Sequence, residues 1–117
     1  MLSSSLREKK HYLALELLAE SQISTEEARK ALFGAIKDFL GSSELAAAGP
    51  QIIELKPLRE KRYGLFAARG ILSVNRKKVI KVRAALSLLS EIGGKKASCT
   101  VRGVSGTLRK LREKFLR

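Results

Sequence analysis

The sequence predicts an α+β fold, one antiparallel sheet with helices packed against it. Three observations carry this expectation. Leu13, Leu15 and Leu17 alternate with other residues, as do Ile53 with Leu55 and Cys99 with Val101, the period of a half-buried strand. Ala28, Ala31, Leu32, Ala35, Ile36, Phe39 and Leu40 instead recur on one face of a helix. Gly41, Gly49-Pro50 and Gly93-Gly94 punctuate the chain between such segments.

Residues 12–18 read as a first strand, with a helix as the competing reading because leucine and alanine favour helix. Ser24-Thr25-Glu26-Glu27 is a capping box, with the serine hydroxyl placed to accept from the amide three residues on. It opens a helix that Gly41 ends. Residues 44–48 add one helical turn before Gly49-Pro50 breaks it, and residues 51–56 form a second strand. A basic connection, 57–61, leads to a third strand over 62–71. Asn75 caps a second helix, striped by Val79, Val82, Leu86 and Leu89, running to about Ile92 and stopped by Gly93-Gly94. Residues 96–104 form a fourth strand. Leu108, Leu111 and Phe115 line the inner face of a terminal helix. The order strand, helix, strand, strand, helix, strand is the ferredoxin-like split pattern. It gives a four-stranded antiparallel sheet with helices on one face and an extra C-terminal helix. The other face is then wet, covered by that extra helix, or used for binding.

The 117 residues suit a single domain, with residues 1–6 as a flexible start. A 44% apolar content allows a real core, and with no tryptophan that core is aliphatic. The formal charge of +13 suits a polyanion as partner. Its placement is uneven. Residues 13–55 hold three basic and seven acidic groups, whereas residues 56–83 hold ten basic and one acidic. From Lys95 to Arg117 there are eight basic groups and one acidic. Such a polarised surface can face nucleic acid on one side and protein on another.

Cys99 is the only cysteine, so no internal disulfide forms, which fits a reducing, cytoplasmic setting. It reads as a small core residue rather than a nucleophile, since the only histidine, His11, is remote in sequence. No apolar run reaches membrane-spanning length, and no signal peptide is visible. One His and one Cys give no basis for a metal site, and no paired carboxylates or phosphate-cradling loop mark an active site. The chain carries no catalytic residue that the sequence identifies.

Three segments point to phosphate. Arg76-Lys77-Lys78 puts positive charge at a helix start, against the helix dipole, a cost that a nearby anion offsets; a solvated helix end is the alternative. Arg7-Glu8-Lys9-Lys10-His11 is a second, smaller basic cluster. The run from Arg102 to Leu116 joins a strand to a very basic helix through Gly103, Val104, Ser105, Gly106 and Thr107, and unpaired amides at a glycine-flanked helix start suit a phosphate oxygen. Tyr63 and Phe66 invite comparison with base-stacking aromatics on an RNA-recognition-motif strand. Three residues apart, they would point to opposite faces of a regular strand, leaving one for the core and one for a partner.

Leu6-Arg7-Glu8-Lys9-Lys10-His11-Tyr12 and Gly103-Val104-Ser105-Gly106-Thr107-Leu108-Arg109-Lys110-Leu111 resemble protein component 2 of archaeal ribonuclease P, the family shared with a eukaryotic ribonuclease P/MRP subunit. The resemblance covers nearly the whole chain, the middle strands matching in pattern more than in residues. It implies an RNA-recognition-motif-like fold and a subunit of the ribonucleoprotein endonuclease that removes the 5′ leader from precursor tRNA. It also implies that the RNA holds the catalytic centre and the magnesium ions, so that this chain binds no cofactor itself. The implied partners are the ribonuclease P RNA, precursor tRNA in the assembly, a barrel-shaped protein subunit (component 3) and a second copy of the chain. Carried onto matching positions, the RNA-binding residues are Arg7, Lys9, Lys10, Arg102, Gly103, Ser105, Gly106, Arg109 and Lys110, beside Arg76 and Lys77 from the charge argument. Gly103 and Gly106 either bring backbone close to RNA or serve a tight turn and helix docking. A bulky residue at Gly106 is expected to weaken assembly more than folding. Two rivals stand beside this reading. A free-standing RNA- or DNA-binding module would depend on Tyr63 or Phe66. A small ligand-binding regulatory domain fits the topology but not the charge.

Overall fold

The structure, a computed structural model, describes residues 9–115. In chain order the elements are β1 (Lys10–Ala19), α1 (Thr25–Leu40), α2 (Ser42–Ala48), β2 (Gln51–Pro57), β3 (Phe66–Asn75), α3 (Val79–Ser87), β4 (Glu91–Ile92), β5 (Lys95–Ser105) and α4 (Leu108–Phe115). A single 3-10 turn, Arg76–Lys78, leads into α3. The five strands form one sheet in the order β2-β3-β1-β5-β4, and every neighbouring pair is antiparallel. The fold is therefore α+β, with one strand more than the four expected.

β1 takes the centre because both of its faces are covered. Leu13, Leu15 and Leu17 point to one side, where they meet Ala28, Leu32 and Ile36 of α1, Val82, Ala85 and Leu86 of α3, and Ala68, Leu72 and Val74 of β3. Each fully buried leucine contributes about 1.5–3 kcal/mol of apolar transfer energy, so this layer holds the fold together. Ala14 points the other way and packs with Ile71 and Leu111, flanked by Tyr12 and Leu108. The sheet thus lies between α1 and α3 on one face and α4 on the other, and an ion pair from Arg112 to Glu54 of β2 (3.0 Å) ties α4 across it.

Local signals explain most boundaries. Ser24 Oγ accepts from the Glu27 amide at 3.1 Å, and Gly41 closes α1 with φ 84°. Asn75 caps the 3-10 turn, its Oδ1 accepting from Lys77 N at 3.0 Å while its Nδ2 donates to Ala47 O. Two elements differ from expectation. The third strand begins at Phe66 rather than Arg62 and runs on to Asn75. Tyr63 (φ 55°) and Gly64 (φ 76°) both adopt left-handed backbone, and the amides of Arg62 and Leu65 each donate a hydrogen bond to the other's carbonyl, making a two-residue hairpin turn. Similarly, the second helix ends at Ser87 instead of Ile92. Gly93 and Gly94, with φ 59° and 80°, form another hairpin turn that pairs Ile92 with Lys95. Leu89 and Ile92 still reach the core, which is why their spacing resembled a helix face.

Cys99 lies on the helix-facing side of β5, and burial pushes its thiol from 9.0 up to about 12. The thiol stays protonated at neutral pH and is a poor nucleophile. Iodoacetamide at pH 8 is expected to label the native chain far more slowly than the urea-unfolded chain; equal rates would contradict the burial. Because the unfolded chain releases this proton first, Cys99 also subtracts stability as pH rises from 9.0 toward about 12.

Candidate nucleic-acid interface

β1 runs antiparallel to both neighbours, so its start lies beside the ends of β3 and β5. Lys10 pairs with Asn75, and Tyr12 pairs with Ser105. This register brings three remote segments to one end of the sheet, where Lys9, Lys10, His11, Tyr12, Arg76 and Gly106 line an open cleft. Four of the sequence-predicted residues, Lys9, Lys10, Arg76 and Gly106, share it.

Their side chains are not equivalent. Lys10 Nζ donates to Gly49 O at 3.1 Å, so this ammonium also caps the carbonyl end of α2. Lys9, Arg76 and Lys77 are exposed. Lys78 and Lys81 pair with Glu44 at 2.8 and 3.3 Å, and hydrogen bonds from Lys78 and then Lys81 hold the Glu44 carboxyl below the usual range. The basic run at the start of α3 therefore offers Arg76 and Lys77 to an outside anion, while Lys78 and Lys81 are partly neutralised.

The glycine-rich turn is built from hydroxyl caps. Ser105 Oγ accepts from Thr107 N at 3.2 Å, and Thr107 Oγ1 accepts from Lys110 N at 3.3 Å, making Thr107 the N-cap of α4. A Cβ on Gly106 would meet only His11, at an ordinary 3.7 Å, so the position has room. Gly103 differs: a Cβ there would overlap the Phe115 ring, so this glycine gives α4 its seat on the sheet. Lys110 is exposed on α4, as is Arg109, which pairs with Glu113 at 3.2 Å. Such exposed pairs are weak and give way readily to phosphate. Arg7 lies outside the described residues.

Arg102 sits apart, on the α4 face of the sheet. The pairing of β1 with β5 shifts between Ala14 and Leu15, leaving Arg102 as the extra residue of a β-bulge. It lines a second cleft with Glu16, Arg62, Arg69, Lys114 and Phe115. Arg62, Arg69 and Lys114 were not identified from the sequence. The available signal was Glu16, a charge interrupting the apolar run of β1 and so requiring cations across from it. Tyr63 occupies the β2–β3 turn and is 80% exposed, whereas Phe66 packs toward the main core beneath Lys61, whose Nζ lies 4.5 Å from the ring centroid. Among the described residues no group of three or more His, Cys, Asp or Glu is placed to hold a metal ion, and no helix is long and apolar enough to cross a membrane.

Comparison with known proteins agrees with this architecture. The chain is 38% identical over 115 residues to ribonuclease P protein component 2 of Thermococcus gammatolerans, spanning 98% of this chain and 89% of that one. It is 34% identical over 112 residues to the protein of the same name from Methanosarcina mazei, spanning 96% and 88%. A chain in the cryo-EM structure of yeast ribonuclease MRP superposes with a TM-score of 0.53 at 17% identity, over 88% of this chain and 78% of that one, a likeness of fold. The profile of the Rpp14/Pop5 family matches residues 11–116, and the chain belongs to that family.

Proposed function

We propose that this chain is a protein subunit of ribonuclease P, the ribonucleoprotein that removes the 5′ leader of precursor tRNA. It binds and supports the catalytic RNA and supplies no catalytic side chain. The observation that carries the reading, beside family membership, is the convergence of Lys9, Arg76 and Gly106 at one end of the sheet, next to a basic helix. Each phosphate neutralised there releases counterions and strengthens binding at low salt. Magnesium, on this reading, belongs to the RNA. The order of β1, α1, β2, β3, α3 and β5 is then a ferredoxin-like, RNA-recognition-motif-like unit, with β4 and α4 as additions. Exposed Phe39, Ile80 and Leu88 on the helix side support a protein partner there, which we assign to the barrel-shaped component 3. Self-association within the assembled enzyme and a cytoplasmic location complete the proposal.

The free-standing module is less well supported. Phe66 faces the helix-side core and Tyr63 lies in a turn, so the two do not form a stacking platform on the sheet. Reconstitution separates the readings. With compatible ribonuclease P RNA and the other protein subunits at moderate magnesium, precursor-tRNA 5′ cleavage is expected only when this chain and its barrel-shaped partner are both added. No effect of a folded chain on a competent RNA would sink the proposal.

A further inference from the structure

The part of the sheet face that α4 leaves open holds a cleft crowded with cations. At its centre Glu16, only 8% exposed, projects from β1 among three guanidinium groups and one ammonium. Arg62 bonds its Oε2 at 3.0 Å, and Arg102 approaches Oε1 at 4.0 Å. One carboxylate cannot balance four cations. Arg69 lies directly across the β1–β3 ladder from Glu16, yet its Nε–H is shut off from water and meets no acceptor among the described residues. A desolvated charged donor without an acceptor is unfavourable, so this guanidinium is under-satisfied, and it is the rest of its fork, which lines the cleft, that can meet an anion. Lys114 and Phe115 close the cleft from the end of α4, and its volume is about 200 Å³.

We propose that this cleft holds a phosphodiester of RNA. Arg69 and Arg102 donate to its non-bridging oxygens, and Lys114 supplies a third positive charge. Glu16 acts as a positioning residue, holding Arg62 and Arg102 in place. Planar guanidinium forks match phosphate oxygens in pairs, and several arginines around a concave wall make a phosphate seat rather than a diffuse field. The site is distinct from the cleft at the end of the sheet, and the two are linked by α4. Gly106, just before α4, lines one; Lys114 and Phe115, at its end, line the other. An eight-residue helix is about 12 Å long. One RNA strand following α4 therefore meets both clefts within a few nucleotides, passing Lys110 on the way.

The inference rests on the reading of the chain as an RNA-binding subunit, and the test keeps the two apart. The probe is a transcript of the catalytic portion of ribonuclease P RNA, titrated with the full chain at several salt concentrations. The double variant Arg69→Met/Lys114→Met is expected to bind about ten- to a hundredfold more weakly at low salt, and its salt slope to be shallower by about 0.7–0.9, the share of one phosphate. Arg69→Lys restores the slope but only part of the affinity, because the charge returns without the fork. Circular dichroism and the thermal midpoint establish that each variant is folded. Should Arg69→Met unfold the chain, Lys114→Met, a change on the helix surface, must by itself weaken binding. Wild-type affinity and slope in the folded double variant overturn the site. So does a variant that keeps RNA affinity but drops a protein subunit from the assembly, which would make the cleft a seat for an acidic side chain. A wild-type chain with no RNA affinity overturns the functional reading together with the site.

Discussion

Replacing Lys9, Arg76 and Lys110 together by alanine is expected to weaken RNA binding about a thousandfold at low salt while leaving the fold intact. The three side chains are exposed and hold no element together, so their removal leaves no buried group unpaired. Hydrogen bonds to charged groups are worth about 1.5–3 kcal/mol each, and three lost contacts reach a thousandfold at the lower end of that range. The salt slope should fall by about 2–3 in the same experiment. Lys10 is kept, because its ammonium also caps α2 and its loss would mix folding with binding. The matched control removes Arg29, Lys30 and Lys37, the three basic residues of α1, which are equally exposed on the opposite side. Both triples subtract the same net charge. Equal losses would mean that RNA responds to total charge alone and that the end of the sheet is no site.

The second large effect is structural. Gly103→Ala is expected to destabilise the chain by about 1–3 kcal/mol, the usual cost of forcing a methyl group into occupied space. The new Cβ overlaps the Phe115 ring, so α4 must lift from the sheet. Lifting α4 loosens the small cluster of Leu111, Ala14 and Ile71 and opens the cleft that Phe115 walls. A double-mutant cycle isolates the cause. In a Phe115→Ala background the same glycine change should be close to neutral, because the ring it strikes is gone. An undiminished cost in that background would trace the effect to the bulged backbone instead. Of the two roles open to Gly103, helix docking is the one its surroundings explain.

Local chemistry made α1 readable, because the cap at Ser24, the apolar stripe and Gly41 all act within one segment. The α+β class was readable for the same reason, although β4 was not expected. Two elements were misplaced where glycine admits two local solutions. Gly93-Gly94 stops a helix as well as it turns a hairpin, and the choice between them is made by pairing with β5. Tyr63-Gly64 resembled strand because nothing in a tyrosine announces left-handed backbone. The cleft at the end of the sheet was partly visible, since its basic clusters are contiguous in sequence. Arg62, Arg69 and Lys114 were not, for each is a lone cation in its own segment. Their meeting depends on the register of β1 with β3 and on the seat of α4, neither of which is a local property.

The central position of β1 also has a consequence for how the chain is made. Its two pairing strands, β3 and β5, lie far downstream, and the second is nearly the last element. Ribosomes add about 5–20 residues per second, so a leucine-rich strand spends several seconds without the neighbours that will cover it. Contacts so distant in sequence are slow to form and leave the nascent chain open to aggregation or to chaperones. The cleft at the sheet's end is assembled from the beginning, middle and end of the chain. A nascent polypeptide that has not yet reached Gly106 therefore lacks this cleft, however well its first strand and helix have formed.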